Sequence, residues 1–347
     1  MSDSLDSLVQ GAKERARKRA ITELIHIAEE TAKKRALSDP WLVAAYLTGS
    51  LRSEDPFLGN TTDIDIVFIH AEELNIQREI LPLTPEVHLD IVHKTRSDYE
   101  KPKELRTHPW LGPEIYDPLP LYVTQHFFEF IQAGVRDKFN ESANVLARSR
   151  QLTESARQTW RQLRLSQNTG PEWLLRYLNS ICDAANAVAL LTGNPLAERR
   201  FLLQFPERAG AAGQPGLAAG LLGLLGANRV DSAALAGFLP GWEKDFLAAA
   251  SSPNVQKRIA VPRLGYYKQA FVALLSGETP LSALWPMLYT WTASASVLPP
   301  AQIAPWQTAC ETLGLAGESF TQRLEGLDRF LDSIEEILDK MASDQGL

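Results

Sequence analysis

Cysteine is scarce in this sequence, since Cys182 and Cys310 are the only two among 347 residues. Two cysteines are too few for a disulfide framework or a cysteine-based zinc cluster. A basic excess is also missing, because 35 lysines and arginines face 42 aspartates and glutamates, a formal net charge of -7. General nucleic-acid binders usually carry a basic excess. We therefore expect no nucleic acid among the partners.

Long apolar runs are missing as well. The most apolar stretch, Gly216 to Ala227, is far shorter than the ~20 residues that span a bilayer. The sequence opens with MSDSLDSLVQGAKERARKR, which has no apolar signal core behind its basic residues. We expect a cytoplasmic protein that does not enter a membrane. A hydrophobic content of 45% and a charged content of 22% suit a folded chain, and the length suits two domains.

The first 120 residues mix helical and strand patterns. Apolar residues recur at three- and four-residue steps from Leu5 through Leu8 and Val9 to Ala28, which predicts an amphipathic helix. The basic run Lys13 to Lys18 is interpreted as the solvated face of that helix. Three short segments have the length and composition of strands, namely 41–47, 64–69 and 87–92. Helices interleaved with strands predict a domain built on a small sheet.

The remainder of the chain is predicted to be helical. From Leu119 onward we expect no further strand, and helical spacing predicts helices over 127–139, 144–164, 173–191, 264–275 and 320–341. Turn signals such as Gly170-Pro171 and Pro253-Asn254 separate these segments. The alanine- and glycine-rich stretch 209–226 fits either a loop or a closely packed helix. The tryptophans of this half are interpreted mainly as core residues.

Three aspartates are the candidate metal ligands and catalytic residues. Asp63 and Asp65 are two apart on a predicted strand, so both carboxylates project from one face. Two such charges repel by about 2–4 kcal/mol at an effective dielectric of 20, and a cation between them relieves that repulsion. Asp90 adds a third carboxylate if its strand is a neighbour in the sheet. Oxygen ligands favour Mg²⁺ over zinc or copper.

A phosphate-binding turn is predicted beside this pair. Gly49 follows a predicted strand, where the missing Cβ lets a phosphate approach the backbone. The next amides and the Ser50 hydroxyl can donate to anionic oxygens, and Arg52 supplies a fixed positive charge. Either motif alone carries little information. Their combination, at this separation and in this strand context, indicates a metal-dependent nucleotide site.

The residues of these two motifs resemble a known signature. Thr48-Gly49-Ser50 followed by Asp63-Ile64-Asp65-Ile66-Val67 is similar to the hGS and DhDhh motifs (h, hydrophobic) of the polymerase beta-like nucleotidyltransferase superfamily. The resemblance implies an α+β fold, with a small mixed-sheet nucleotidyltransferase domain over 1–120 followed by an all-α helical bundle domain over 121–347. It implies transfer of a nucleoside monophosphate from an NTP to a small acceptor, with release of pyrophosphate. Asp63 and Asp65 match the metal pair, and Asp90 resembles the third acid, a base or metal ligand.

The helical half most resembles the adenylyltransferases that modify streptomycin and spectinomycin. A helix ending in Thr192-Gly193 and followed by basic residues carries this resemblance. It implies ATP as the nucleotide donor, one or two Mg²⁺ ions and an aminoglycoside as the acceptor, which an acidic protein suits. Glu198 stands where a phosphate-contacting lysine is expected. Either arginine that follows it, Arg199 or Arg200, could replace that lysine, and Arg199 is the predicted nucleotide contact. Lys268, or Arg263 in the same basic cluster, is predicted to neutralise the leaving pyrophosphate.

Two other functions remain open at this point. The loop from Arg52 to Thr62 carries Glu54 and Asp55, whose charges oppose a triphosphate unless they point away from it. This keeps open a catalytically degenerate binding or regulatory protein, and a toxin–antitoxin type transferase that acts on a protein hydroxyl is the other alternative. All six histidines lie within the first 126 residues. This excludes the Arg-x₄₋₆-His motif of ribonuclease-like helical domains from the helical half. His88, on the strand face of Asp90, is interpreted as structural or as bordering the site.

Overall fold

A computed structural model describes residues 2–53, 55–124, 126–165, 169–253 and 255–347, with side chains described from Gln10 onward. The first part of the chain combines helices and strands: α1 (Ser2–Ser38), β1 (Leu42–Thr48), β2 (Thr62–His70), β3 (Arg78–Pro82), β4 (Val87–Thr95), α2 (Pro102–Leu105), α3 (Leu111–Tyr116), β5 (Leu119–Val123) and α4 (Phe127–Arg136). The rest is helical: α5 (Ser142–Leu165), α6 (Pro171–Ala189), α7 (Phe201–Ala211), α8 (Gly216–Leu224), α9 (Ser232–Ala250), α10 (Arg263–Leu275), α11 (Leu284–Ala295), α12 (Ala304–Leu313) and α13 (Glu318–Gln345).

The five strands form one mixed sheet in the order β3-β4-β2-β1-β5. Strands β2 and β4 run parallel, whereas the other neighbouring pairs are antiparallel. The parallel register sets Asp63 opposite His88 and Asp65 opposite Asp90. Residues opposite each other in neighbouring strands share a face of the sheet. The expected mixed sheet is confirmed, and the strands that carry the three aspartates are neighbours.

The three predicted strands are confirmed, but two others went unpredicted. The expectation that no strand follows Leu119 is wrong, because Leu119–Val123 pairs with β1. Both unpredicted strands, β3 and β5, lie at the edges of the sheet and contain a proline, Pro82 and Pro120. Edge strands tolerate proline and expose one side. Neither therefore has the uninterrupted apolar run by which a buried strand is recognised.

The predicted amphipathic helix is part of α1, which extends to Ser38. Among its described side chains, the apolar packing lies in the C-terminal half, where Ala28 and Ala32 are fully buried against one face of the sheet. Ala12 and Ala16 are exposed, so the apolar stripe does not pack along its whole length. The side chains of Leu5, Leu8 and Val9 lie outside the described part of the chain. The basic run is largely exposed, as expected.

Two further apolar cores complete the fold. The second face of the sheet is covered by the segment that ends with α4, and its buried residues include Tyr99, Ile115 and Phe128. The helical core runs from Leu146 to Ala342. The residues that pack on the sheet continue through Phe139, whereas the boundary at residue 120 stays a prediction. The division of the chain into two domains is likewise still a prediction.

The five predicted helices in the second half are confirmed as α4, α5, α6, α10 and α13. The undecided stretch 209–226 contains the end of α7 and all of α8. Of the predicted turn signals, Asn254 lies outside the described residues. Trp242, Trp285 and Trp291 are fully buried, as expected for core aromatics. Across the described helices, none combines the length and apolar character that crossing a bilayer requires.

Candidate functional site

Four side chains form a compact group on one face of β2 and β4. Because Asp63 is opposite His88 and Asp65 is opposite Asp90, the alternation of a strand directs all four to the same side. Asp63 is 5% exposed, and His88 and Asp90 are each 1% exposed. Asp65 is partly buried. Burial of so many ionisable groups requires compensating partners.

The turn after β1 contacts both aspartates of β2. Gly49 has φ 72° and ψ −152°, a conformation that is essentially restricted to glycine. A Cβ on Gly49 would lie 1.7 Å from Oδ2 of Asp65, so the Asp65 carboxyl occupies the space that any other residue would fill. The Ser50 hydroxyl lies 3.0 Å from the Thr62 hydroxyl and donates to Oδ1 of Asp63 at 3.4 Å. The two motifs found in the sequence therefore meet in space.

Arginines bind the Asp90 carboxylate. Arg78 donates from Nε to Oδ1 at 2.7 Å and from Nη2 to Oδ2 at 2.5 Å. Arg263, at the start of α10, donates from Nη1 to Oδ2 at 3.1 Å, and its Nη2 lies 3.7 Å from Oδ2 of Asp63. The Arg263 guanidinium thus spans two of the three carboxylates. The Tyr266 hydroxyl donates to Oδ2 of Asp63 at 2.7 Å. Helix α10 therefore covers this part of the sheet.

Arg199 contacts Tyr266, which in turn contacts Asp63. Its guanidinium lies 3.3 Å from the Tyr266 ring centroid, donates to the Thr61 hydroxyl at 2.7 Å and donates to the Tyr266 carbonyl at 3.0 Å. Glu198 accepts a hydrogen bond from the Tyr267 hydroxyl at 2.9 Å and lies 3.0 Å from Nε of Arg258. Arg199, the predicted nucleotide contact, therefore joins the sheet to the helical half. Glu198 forms an ion pair with Arg258.

Two other predicted nucleotide contacts are directed elsewhere. Arg52 is exposed, and its Nη2 donates to Asp117 at 3.2 Å. The Lys268 ammonium donates to both carboxylate oxygens of Glu243 at 2.8 Å. The structure does not bring either residue to the aspartates. In the acidic loop, Asp55 pairs with Arg17 of α1, and Glu54 lies outside the described residues.

The aspartates of β2 differ in their electrostatic environment. Burial, followed by the charges of Asp63 and Asp90, raises the pKa of the Asp65 carboxyl well above its ordinary value. Burial alone would also raise the pKa of Asp63, but the charges of Arg199 and Arg263 and the Tyr266 hydroxyl hold that pKa below its usual value. The negative charge of the Asp63 carboxylate is thus stabilised by the two arginines and by the hydrogen bond from Tyr266. Asp65 is the carboxyl for which ionisation is least favourable.

His88 completes the group. Burial lowers the pKa of its imidazole to about 4, so the ring is neutral near pH 7. Its Nε2 atom is buried and has no hydrogen-bond partner among the described residues. One ring nitrogen of His88 and one oxygen each of Asp63 and Asp90 all lie within 4.8 Å of one another. This donor set fits a divalent metal ion. Asp65, predicted as a ligand, is not in that set.

Arg78 and Tyr266 were not identified from the sequence. Arg78 lies on an edge strand, β3, that has no clear strand pattern, so its contact with Asp90 depends on the sheet order. A usable signal existed for Tyr266. On a helix, residues three apart share a face, so Tyr266 accompanies Arg263. Lys268, five residues after Arg263, is turned away by about 140°, in agreement with its contact to Glu243.

A cavity of about 590 Å³ adjoins the cluster, and its lining residues are Asn75, Ile76, Gln77, Arg78, Val255, Gln256, Lys257 and Arg258. Ligand pockets commonly have volumes of about 300–1,000 Å³. Arg78 also binds Asp90, so the cavity and the cluster share this side chain. Among the described lining residues three are basic and none is acidic. Arg78 is paired with Asp90 and Arg258 with Glu198, so Lys257 leaves a single net positive charge at the cavity, which favours a neutral or anionic occupant.

Comparison with known proteins adds no assignment. No family model matches the chain, and no curated protein matches it either.

Proposed function

We propose that this protein is a divalent-metal-dependent nucleotidyltransferase that moves a nucleoside monophosphate, AMP from ATP, to the hydroxyl of a small acceptor. The observation that carries the proposal is the register of β2 and β4, which groups Asp63, Asp65 and Asp90 on one face of the sheet. The contact of Gly49 with Asp65 supports it, because a glycine turn and a carboxylate pair then belong to one site.

The chemistry follows from these groups. A divalent ion on the aspartates would neutralise charge on the triphosphate. The Asp90 carboxylate would take the proton of the acceptor hydroxyl while the hydroxyl oxygen forms a bond to the α-phosphorus. The bond from the α-phosphorus to the bridging oxygen of the β-phosphate breaks, and its electron pair leaves with pyrophosphate. The Ser50 hydroxyl and the amides of its turn would hold the phosphate oxygens.

The cavity beside Asp90 supports a particular class of acceptor. Because Arg78 and Arg258 are paired with Asp90 and Glu198, Lys257 leaves one net positive charge in the lining, and this charge opposes the binding of a polycationic aminoglycoside. We therefore propose an acceptor that carries a hydroxyl together with neutral polar or anionic groups. Substrate binding also requires Arg263 and Tyr266 to give up their contacts with Asp63 and Asp90, because both side chains are buried against these carboxylates.

Replacing Asp63 by asparagine tests the proposed chemistry. We expect Asp63→Asn to reduce ATP-dependent pyrophosphate release by at least about 100-fold, since it removes the charge of a proposed metal ligand, and the charge stabilisation that a bound ion supplies amounts to several kcal/mol. Circular dichroism should show that the fold is retained, because the substitution keeps the shape of the side chain.

Asp183 is the matched control for that experiment. It is a partly buried aspartate on α6 that accepts a hydrogen bond from Ser155 at 2.8 Å, outside the cluster. Asp183→Asn should release pyrophosphate at the wild-type rate. Wild-type release by the Asp63→Asn protein would contradict the proposed function.

A binding or regulatory protein without catalysis is the second candidate. The observation that favours it is the pairing of Asp90 with both Arg78 and Arg263, which neutralises the carboxylate assigned as the base. Calorimetric titration with Mg²⁺ and each of the four NTPs separates the two candidates. Metal-dependent nucleotide binding without pyrophosphate release, over a panel of acceptors, would favour the binding protein.

A further inference from the structure

We propose that His88 is a metal ligand together with Asp63 and Asp90, and that the resulting centre prefers a transition-metal ion such as Mn²⁺ or Zn²⁺ to Mg²⁺. The inference deepens the proposed function, on which it rests for the biological use of the ion. It differs from the expectation drawn from the sequence, in which Asp63, Asp65 and Asp90 bind Mg²⁺ through oxygen alone.

The distances suit coordination by these three residues. One ring nitrogen of His88 and one carboxylate oxygen from each of Asp63 and Asp90 lie within 4.8 Å of one another. Ligand atoms about 2.0–2.2 Å from one ion lie up to about 4.4 Å apart. Small side-chain adjustments therefore bring all three within bonding distance. Asp65 is directed to the backbone of Gly49 and lies outside this set.

The imidazole of His88 has an unused coordinating atom. His88 is only 1% exposed, so its Nε2 cannot be paired with bulk water. This atom also has no hydrogen-bond partner in the described part of the chain. Buried polar atoms are normally paired, because an unpaired one has lost its hydrogen bonds to water without replacing them. The Tyr266 ring packs against the imidazole in an edge-on arrangement at a centroid distance of 4.9 Å. The ring is therefore held in position, and a metal ion bound through Nε2 would supply the missing partner.

A cation already lies over the same carboxylates. The Arg263 guanidinium is 3.1 Å from Asp90 and 3.7 Å from Asp63. A metal ion bound between these carboxylates would exclude it from that place. Arg263 and the ion are therefore expected to compete, and loss of Arg263 should strengthen metal binding.

The nitrogen ligand determines the preference for the ion. Mg²⁺ is bound almost entirely by oxygen and retains several waters, whereas imidazole suits zinc, copper, iron and nickel. Mn²⁺ is the weakest binder of the transition-metal series and serves as the probe because EPR detects it. Substitution of His88 should therefore weaken the binding of a transition-metal ion more than the binding of Mg²⁺.

The test uses the full-length protein and Mn²⁺ alone, without nucleotide. Isothermal titration should give at least tenfold weaker Mn²⁺ binding for His88→Gln than for the wild type, with less than a threefold change for Mg²⁺. Pulsed EPR of the Mn²⁺-loaded wild type should show ¹⁴N modulation from an imidazole, and His88→Gln should abolish it. Arg263→Met should bind Mn²⁺ several-fold more tightly than the wild type. His26→Gln, a change at an exposed histidine of α1, is the control and should match the wild type.

Two results would overturn the inference. One is Mn²⁺ binding without ¹⁴N modulation, or binding that His88→Gln leaves unchanged. The other is a lack of Mn²⁺ binding in both the wild type and Arg263→Met. Failure of the proposed function is a separate outcome. Mn²⁺ bound through His88 without pyrophosphate release from any NTP would refute the transferase alone, and Mg²⁺-dependent release without a nitrogen signal would refute this inference alone.

Discussion

At the scale of single residues, the contact between Gly49 and Asp65 links the turn after β1 to strand β2. Gly49 is needed for two separate reasons. Its backbone lies in a region that other residues avoid, and the Asp65 carboxyl fills the place of a Cβ. The two reasons can be separated experimentally by comparison with Gly317. This glycine has the same unusual backbone conformation, but no side chain occupies the place of its Cβ. Gly317 has φ 60° and ψ −149°, and a Cβ there would meet no atom within 4 Å.

We expect Gly317→Ala to lower the free energy of unfolding by about 1–3 kcal/mol, the range for a strained backbone conformation. Gly49→Ala should lower it by a further ~1–3 kcal/mol, because displacement of the Asp65 side chain adds an overpacking term. Urea denaturation of the two variants measures the difference. Equal losses would show that Asp65 does not approach Gly49 closely.

The sequence could identify the acidic residues and the glycine turn but not their partners. Asp63, Asp65 and Asp90 follow from the two-residue period of a strand, which is a local property. Arg78 and Arg263 reach Asp90 from an edge strand and from a helix more than 170 residues away. Local patterning contains no information about such contacts. The neutralisation of Asp90 could therefore not be predicted.

At the scale of elements, the ends of β2 and β4 opposite the cluster are joined by two histidines. His70 Nε2 lies 2.9 Å from His93 Nδ1, and His93 Nε2 lies 2.7 Å from Glu79. Asp39 lies 3.2 Å from Nδ1 of His70, and Arg35 binds Glu79. Burial, and then the charge of His93, lowers the pKa of the His70 imidazole below its usual 6.5. The neutral ring is therefore the form favoured by the fold.

This histidine pair predicts a pH dependence of stability. A group whose pKa is lower in the folded state contributes stability above its unfolded pKa of about 6.5, and that stability is lost as the pH falls through the folded pKa. We expect the unfolding free energy of His70→Gln to fall less between pH 7 and pH 5 than that of the wild type. His26→Gln, at an exposed position, should retain the wild-type dependence. Parallel curves for all three proteins, from urea denaturation at each pH, would contradict this assignment.

Elements with strong local patterns were predicted, and those defined by their neighbours were not. The three strands found from the sequence, β1, β2 and β4, lie in the interior of the sheet. Strands β3 and β5 are ordered by pairing with β4 and β1. In the same way, α1 has an amphipathic sequence along much of its length, but the described apolar side chains that pack on the sheet lie between Leu24 and Ala36. Contact with the sheet therefore determines which part of the amphipathic helix is buried.

At the scale of the whole molecule, Arg199 connects the sheet with the helical half. It donates to the hydroxyl of Thr61, the residue before β2, to the Thr61 carbonyl at 3.2 Å and to the Tyr266 carbonyl of α10 at 3.0 Å. The side chain is 5% exposed. Its removal would leave buried acceptors without a donor, and such groups are costly.

We expect Arg199→Met to lower the free energy of unfolding by about 2–4 kcal/mol, because hydrogen bonds from a charged donor contribute about 1.5–3 kcal/mol each and part of the loss is recovered by relaxation. The calorimetric unfolding peak should also broaden, since the sheet and the helical core lose a shared contact. Arg208→Met is the control. Arg208 is partly buried and donates to the Thr192 carbonyl at 3.1 Å, so its loss should be under about 1 kcal/mol. Similar losses for both variants would contradict the linking role of Arg199.

The prolines of the outer strands affect how copies of this chain behave at high concentration. Pro82 and Pro120 lie in the two edge strands, one at each side of the sheet. A proline has no amide hydrogen, so each of these edges lacks a donor at that position. Continuous rows of free donors are what allow strands of separate molecules to add to one another in fibrillar aggregates. The sheet therefore carries, on both margins, an interruption that opposes such growth.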